Sequence, residues 1–199
     1  MSNRGEQTRE QILDHALDVA RRAGLDGLTI GKLADGLELS KSGLFAHFGS
    51  KESLQVAVLQ HASDRFVATV VRPGLGAPRG EERLRALFSG WLAWGLANPA
   101  QGGCLFVAAA VELDGRAGPA RDQLVATQRD WLELLANVVR AGQTDGKLRA
   151  EADPEQIAGE LYGILLFAHH ARMLLGDAHA GARATRSFEA LLDRLRPAC

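Results

Sequence analysis

The fold is decided by residues 28–54, which read LTIGKLADGLELSKSGLFAHFGSKESL. Thr29 is a good N-cap for a short helix over 30–37, and Ser40 is a good N-cap for a second helix over 41–48. Two short helices joined by a tight turn form a helix-turn-helix. A two-turn helix of this kind can enter the major groove of DNA, where its N-terminal residues reach the base edges.

The second of these helices has one face for DNA and one for its own scaffold. The residues expected to face the groove are Lys41, Ser42, Gly43 and Ala46. The apolar residues Leu44, Phe45 and Phe48 hold the helix to its support, with Phe45 half exposed. Lys51 follows the Ser50 cap of the next helix, and there its ammonium group would join the free backbone amides in gripping a phosphate.

Helical periodicity extends outward from this segment in both directions. A first helix is predicted from Thr8, with Thr8 and Gln11 as a capping box, and a fourth helix over 50–71 leads into the C-terminal part. Residues 72–80 (RPGLGAPRG) are the best candidate for a linker or an ordered loop. Further helices are predicted over 81–97, 104–113, 119–141, 153–175 and 182–195, with Asn98 and Pro99 ending the first of them.

The predicted fold class is therefore all-α. It combines an N-terminal three-helix helix-turn-helix DNA-binding domain, residues 1–52, with a larger C-terminal helical domain, residues 53–199. The fourth helix connects the two domains.

Composition limits the classes of function. The chain has 199 residues, of which 46% are hydrophobic and 24% charged, and a net charge of −1, so it does not bind nucleic acid by bulk positive charge. No apolar run is long enough to cross a membrane and no signal peptide is recognisable, so we expect a cytoplasmic protein with no membrane partner. The two cysteines, Cys104 and Cys199, lack metal-ligand spacing, and no metal or other cofactor is expected.

Residues 8–66 resemble the N-terminal domain of the tetracycline-repressor (TetR) family of bacterial regulators. The resemblance is carried by TREQILDHALDVARRAG, by the segment quoted above, most specifically from Ser42 onward, and by the helix that follows. It implies a homodimer with DNA-binding helices in each subunit and a ligand pocket in the C-terminal domain. Members of the family mostly repress transcription, and ligand usually releases them from DNA.

The resemblance also implies roles for individual residues. Thr29, Lys41, His47 and Lys51 match positions that the family uses on the phosphate backbone, and Ser42, Gly43 and Ala46 fall where bases are usually read. Phe45 replaces the tyrosine that the family commonly has, so van der Waals contact with a sugar is expected in place of a hydroxyl contact. Glu38 stands where a glycine is usual in the turn between the two helices.

The C-terminal half offers residues for an effector pocket. The candidates are Trp91, Trp94, Phe106, Gln128, Trp131, Tyr162, Leu166 and His170. The aromatic residues could line a pocket or simply fill the core, and helical periodicity predicts the second equally well. His169 and His170 lie about 100° apart on a helix, so they cannot both face one site. Cys104 is expected to be a buried, inert thiol rather than a reactive one.

The last two helices are the predicted dimer contact. Gly159 and Gly163 are four residues apart and would let another helix approach closely. Phe188, Leu191 and Leu195 form an apolar stripe on the last helix that needs covering. In the TetR family the equivalent helices of two subunits pack as a four-helix bundle. Packing within one chain is the alternative.

These expectations indicate a transcription regulator. Because members of the family mostly repress transcription, we expect a repressor. Its partners would be a double-stranded DNA operator with a near-palindromic sequence, a small apolar effector of unknown identity, and a second copy of the chain. The alternative is a dimeric helical protein that binds a small molecule without binding DNA, which Glu38 and Phe45 favour. An enzyme using Cys104 or His170 is a third reading, and no catalytic motif supports it.

Overall fold

The computed structural model describes residues 3–37, 39–96 and 102–197, and these residues form helices and no strands, as predicted. The helices are α1 (Asn3–Ala23), α2 (Ile30–Gly36), α3 (Lys41–Phe48), α4 (Lys51–Phe66), α5 (Arg72–Gly76), α6 (Glu81–Gly95), α7 (Leu105–Leu113), α8 (Pro119–Thr144), α9 (Pro154–Met173) and α10 (Ala180–Leu195). A π-helical segment, Val67–Val71, follows α4. No described helix has both the length and the apolar composition that crossing a membrane requires.

The described residues fall into two compact units. The first unit takes those within Met1–Arg65 and Ala100–Ala126, and the second takes those within Phe66–Pro99 and Thr127–Cys199. Helix α7 therefore packs with α1, although it is distant from it in sequence, and the start of α8 belongs to the same unit. This division differs from the predicted boundary between residues 52 and 53, which stays a prediction about functional domains.

The first unit is built on an amphipathic α1. Its apolar stripe, including Ile12, Ala16 and Ala20, is fully buried. Helix α1 begins at Asn3, so the capping box predicted at Thr8 is wrong. The preceding residues are compatible with a helix, and Glu6 lies in the first turn, where the helix dipole favours an acidic side chain.

The second unit is held together by α6, α9 and α10. The rings of Phe88 on α6 and Phe188 on α10 stack with their centroids 4.1 Å apart. Charged side chains join the same helices at the surface, where Arg85 pairs with Glu81 and with Glu189. Helix α6 was predicted to end at Asn98 and Pro99, which lie outside the described residues.

The candidate linker at residues 72–80 is partly helical. The backbone N–H of Arg72 donates to the carbonyl of Val67, five residues earlier, and α5 then runs from Arg72 to Gly76. Proline lacks an N–H, and its ring clashes with the carbonyl four residues before it in a regular α-helix. The wider π turn ahead of Pro73 lets the chain stay helical through the proline, so residues 72–76 are helical where the sequence favoured a linker or a loop.

Candidate DNA interface and effector site

The helix-turn-helix is capped as its sequence predicts. The Oγ1 of Thr29 accepts a hydrogen bond from the backbone N–H of Lys32 at 3.2 Å at the start of α2. The Oγ of Ser40 accepts one from the backbone N–H of Gly43 at 3.0 Å at the start of α3. Each cap satisfies an amide that a helix start leaves without an internal partner, so both helix starts are fixed.

Helix α3 separates a solvent face from a scaffold face. Leu44 and Phe48 are buried, whereas Phe45 is 51% exposed. The remaining residues of the predicted reading face are all exposed: Lys41, Ser42, Gly43 and Ala46. His47 is half-buried, with its ring centroid 6.2 Å from that of Phe48. An α-helix with its side chains is about 10–12 Å in diameter, which suits a major groove about 12 Å wide.

Lys51 is tied to the turn that follows α1. Its Nζ donates to the carbonyl oxygen of Asp26 at 2.9 Å. The Asp26 carboxylate accepts from Arg116 at 2.9 and 2.6 Å, and this hydrogen bonding by Arg116 lowers the pKa of Asp26. Glu112 accepts from the backbone N–H of Asp26 at 2.9 Å and of Leu25 at 3.2 Å. In the free protein, the side chain of Lys51, which is predicted to contact a phosphate, is therefore held by the turn that follows α1.

Gly24 allows Glu112 to reach this turn. Its φ is +76°, and a Cβ at this position would lie 2.0 Å from the Oε1 of Glu112. The glycine is therefore required for the approach of the carboxylate as well as for ending α1.

An aromatic cluster occupies the second unit. The ring of Phe66 packs edge-on against Trp94, with centroids 5.6 Å apart, and against Trp131, with centroids 5.1 Å apart. The hydroxyl of Tyr162 donates to the Oε1 of Gln128 at 3.4 Å, which joins α9 to α8. Gln128 and Trp131 are three residues apart on α8, so they share one helix face. Five residues from four helices therefore combine apolar rings with polar tips, as small-molecule sites do.

His169, and not the predicted His170, belongs to the aromatic interior. His169 is buried with its ring centroid 6.5 Å from that of Trp91, whereas His170 is exposed and stacks on Phe167. Burial, and then the nearby charge of His170, lower the pKa of His169. A single site inside one chain can use His169 only, because adjacent helix positions point in different directions. Leu166 is half-buried.

Two further predicted residues lie in the first unit. Phe106 is buried on α7, which packs with α1, so it does not share a unit with the aromatic cluster. Cys104 is 2% exposed at the start of the same helix, as expected for a buried thiol. Among the predicted effector contacts, the one at Phe106 therefore has the least support from the structure.

The predicted dimer residues divide into two groups. Phe188, Leu191 and Leu195 are buried within the chain, so the stripe of α10 is covered by intrachain packing and its assignment to the dimer contact is corrected. Gly159 and Gly163 are exposed, and a Cβ at either position would meet nothing within 4 Å. The error has a plain cause, because the sequence shows that a stripe needs cover but not which helix covers it.

Exposed apolar residues mark the outer face of α9 instead. Phe167 is 64% exposed, and Leu174 just after the helix is 72% exposed. Between α9 and α10 runs a groove of about 380 Å³, whose lining includes Gly163, Phe167 and Ala184. Sequence reasoning did not select five residues that the structure places in contact with the predicted site residues or with the turn that holds Lys51: Phe66, Glu112, Arg116, Phe167 and His169. Spacing gave no signal for Phe66, Glu112, Arg116 and His169, because they contact residues far along the chain.

Comparisons with known proteins agree with this geometry. Residues 12–58 match the family described as bacterial regulatory proteins, tetR family, and residues 80–188 match the tetracyclin repressor-like C-terminal domain. The HTH-type transcriptional repressor NemR of Escherichia coli is 25% identical over 191 residues, covering 94% of this chain and 90% of NemR. A TetR transcriptional regulator from Chloroflexus aurantiacus superimposes with a TM-score of 0.90 at 23% identity, over 99% of this chain and 100% of that one. The structure of reduced Escherichia coli NemR gives a TM-score of 0.81 at 21% identity, over 97% and 100% of the two chains.

Proposed function

This chain belongs to the TetR family of bacterial transcription regulators, and we propose that it is a repressor that binds a near-palindromic operator as a homodimer and leaves it when a small apolar effector binds. Its N-terminal domain binds DNA and its C-terminal domain binds ligand, as in the family. The name of its relative NemR, a transcriptional repressor, supports repression over activation.

The observation that carries the proposal is the solvent face of α3. A capped two-turn helix presents Lys41, Ser42, Gly43 and Ala46 to solvent and has its apolar residues Leu44 and Phe48 buried behind them. No acidic residue lies on this helix, so nothing on it repels the phosphates. A reading face with small residues at its centre lets the helix come close to the base edges.

The dimer contact is assigned in this proposal to the outer face of α9 and its groove beside α10. Gly159 and Gly163 leave room for a second helix, while Phe167, Leu174 and Leu175 expose apolar surface that a monomer would leave in water. A two-fold dimer presents the same reader twice, so its operator repeats in inverted orientation. Half-sites one helical turn apart require readers about 34–36 Å apart.

The effector site of this proposal is the aromatic cluster around Phe66 and Trp131. Binding there can release DNA only if the effector prefers the conformation that does not fit the operator. The affinity ratio between the two conformations, rather than the affinity itself, sets how far the equilibrium moves.

A mobility-shift titration tests the proposal. The full-length protein is titrated against DNA from upstream of its own gene and of its neighbours, with excess non-specific competitor and at two salt concentrations. The variant Ala46→Asp places a carboxylate on the exposed reading face and should abolish the discrete complex, whereas Ala126→Asp, at an exposed position of α8, should not.

The outcomes separate the two functional classes. A discrete complex that survives competitor and is lost only in Ala46→Asp supports the repressor and supplies the operator. If neither upstream DNA nor a genome-wide fragment selection yields a complex, the protein is a ligand-binding dimer without DNA-binding activity.

A further inference from the structure

The indole of Trp131 holds a buried hydrogen-bond donor that has no partner. The residue is 6% exposed, and its Nε1 lacks an acceptor among the residues that the structure describes. Within that part of the chain it is the one buried side-chain nitrogen or oxygen in this condition. Buried donors are almost always satisfied because burying one without an acceptor is costly. An exception inside a candidate ligand site points to an acceptor that the ligand brings.

The neighbours of Trp131 are aromatic and match an unsaturated ligand. Phe66 lies edge-on to the indole at 5.1 Å and in turn packs on Trp94. One turn before Trp131 on α8, the amide oxygen of Gln128 already accepts from Tyr162. Aromatic rings prefer to meet other rings edge-on or offset, so this surface favours a flat aromatic partner over a flexible chain.

The second unit offers no buried charge to balance a charged ligand. Among the described residues no Asp, Glu, Lys or Arg side chain is buried, and the buried polar residues are Gln55 and His169. Burial lowers the pKa of His169, so its imidazole is neutral near pH 7 and supplies no positive charge. An ionised ligand transferred into such an interior would lose its hydration without gaining a counter-charge.

We propose that the effector is an uncharged, largely aromatic molecule with a carbonyl-type oxygen, and that the Nε1–H of Trp131 donates a hydrogen bond to that oxygen. The inference rests on the sensory role assigned above and names the chemical class of the molecule sensed. Selectivity then follows from one donor, because an otherwise identical hydrocarbon would leave the indole N–H unsatisfied.

Three probes of nearly equal size test this proposal. Acetylnaphthalene carries a ketone carbonyl group, ethylnaphthalene has a methylene group in place of that carbonyl, and naphthoate carries an anionic carboxylate. Affinities come from the concentration dependence of the thermal stabilisation of the full-length dimer. The ketone should bind about tenfold more tightly than the hydrocarbon, as one net hydrogen bond predicts, and naphthoate at least tenfold more weakly than the ketone.

Two variants assign the effect to one nitrogen. Trp131→Phe keeps a ring but removes the donor, so it should bring the ketone-to-hydrocarbon affinity ratio close to one. Val111→Ala, at an exposed position of α7 in the first unit, should leave that ratio unchanged. If Trp131→Phe fails to fold, NMR of the wild-type protein still tests the proposal. The three tryptophans give three indole N–H signals in NMR, and only the ketone should move the Trp131 proton in the direction of a new hydrogen bond.

Four results would overturn the proposal. They are equal affinities for the ketone and the hydrocarbon, a ketone-to-hydrocarbon affinity ratio that persists in Trp131→Phe, binding of naphthoate that is tighter than that of the ketone, and no binding of either neutral probe. Operator binding is measured separately without any probe. If the operator binds and the ratio is one, only the ligand class fails. If the ratio holds and no operator binds, the DNA-binding function fails and the ligand site remains.

Discussion

Replacing Lys51 by alanine should weaken DNA binding in a way that depends strongly on salt. The ammonium group of Lys51 is exposed at the start of α4, next to the amides that a helix start leaves unpaired. In the free protein it donates to the carbonyl of Asp26 at 2.9 Å. Two roles are therefore possible for this side chain, a phosphate contact or a brace for the turn, and they predict different measurements.

The phosphate role gives a definite slope. Each neutralised phosphate contributes about 0.9 to the slope of log affinity against log salt concentration. A dimer carries two copies of Lys51, so the variant should lose about 1.8 from the slope. Between about 50 and 200 mM salt, the advantage of the wild type over Lys51→Ala should then shrink about twelvefold. The brace role predicts no change in slope, and a loss of unfolding free energy of at most about 1 kcal/mol for an exposed hydrogen bond.

The measurement is a set of operator-binding titrations at four or more salt concentrations, together with chemical denaturation. Lys147→Ala is the matched control, since Lys147 is an exposed lysine in the second unit that also donates to a backbone carbonyl, that of Arg79 at 3.3 Å. Its slope should equal that of the wild type. If Lys51→Ala gives the wild-type slope and lower stability, the reasoning is wrong and Lys51 only braces the turn.

Three further predictions concern the caps, the dimer and the response to acid. Ser40→Ala removes the cap of α3 and should lower the unfolding free energy of the first unit by about 1 kcal/mol by chemical denaturation, with Ser40→Asp restoring it; equal stability of all three proteins would refute the cap. Gly163→Glu should convert the dimer to a monomer in sedimentation, whereas Gly115→Glu, at another position where a Cβ meets nothing within 4 Å, should stay dimeric. If both variants are dimeric, the dimer interface does not include Gly163. Hydrogen bonds from Arg196 and Arg85 lower the pKa of Glu81 from 4.5 to about 2, so the stabilisation is present above pH 4.5 and is lost as the pH falls towards 2. Glu81→Gln should therefore lower the unfolding free energy at pH 7 by about 1 kcal/mol, a value kept small because its arginine partners are partly exposed to solvent. In thermal unfolding near pH 2, the difference between Glu81→Gln and the wild type should vanish.

Local signals in the sequence predicted the local structure well. Ser40 and Thr29 were identified as caps because capping depends on residues two or three positions away, and the helix starts at Ile30 and Lys41 follow from them. Residues 72–76 were expected in a linker or a loop, because the π turn that keeps them helical depends on how the whole helix packs. The start of α1 was misplaced for a related reason, since a polar extension needs no special residue to stay helical.

Contacts between distant residues set the limits of prediction at the site. The sequence identified Trp131 and Gln128 as candidates because they lie on one apolar stripe of α8, but their partners Phe66 and Tyr162 come from other helices. Of two adjacent histidines the sequence could say only that they face different ways, and burial then selected His169. Glu112 meets Asp26 across 86 positions, a separation that no periodicity in the chain reveals.

A single helix carries groups of both candidate sites. Helix α4 begins with Lys51, the predicted phosphate contact, and ends with Phe66, a ring of the aromatic cluster. Because linkage is reciprocal, an effector that moves Phe66 and weakens operator binding must itself bind more weakly to the protein on its operator, by the same factor.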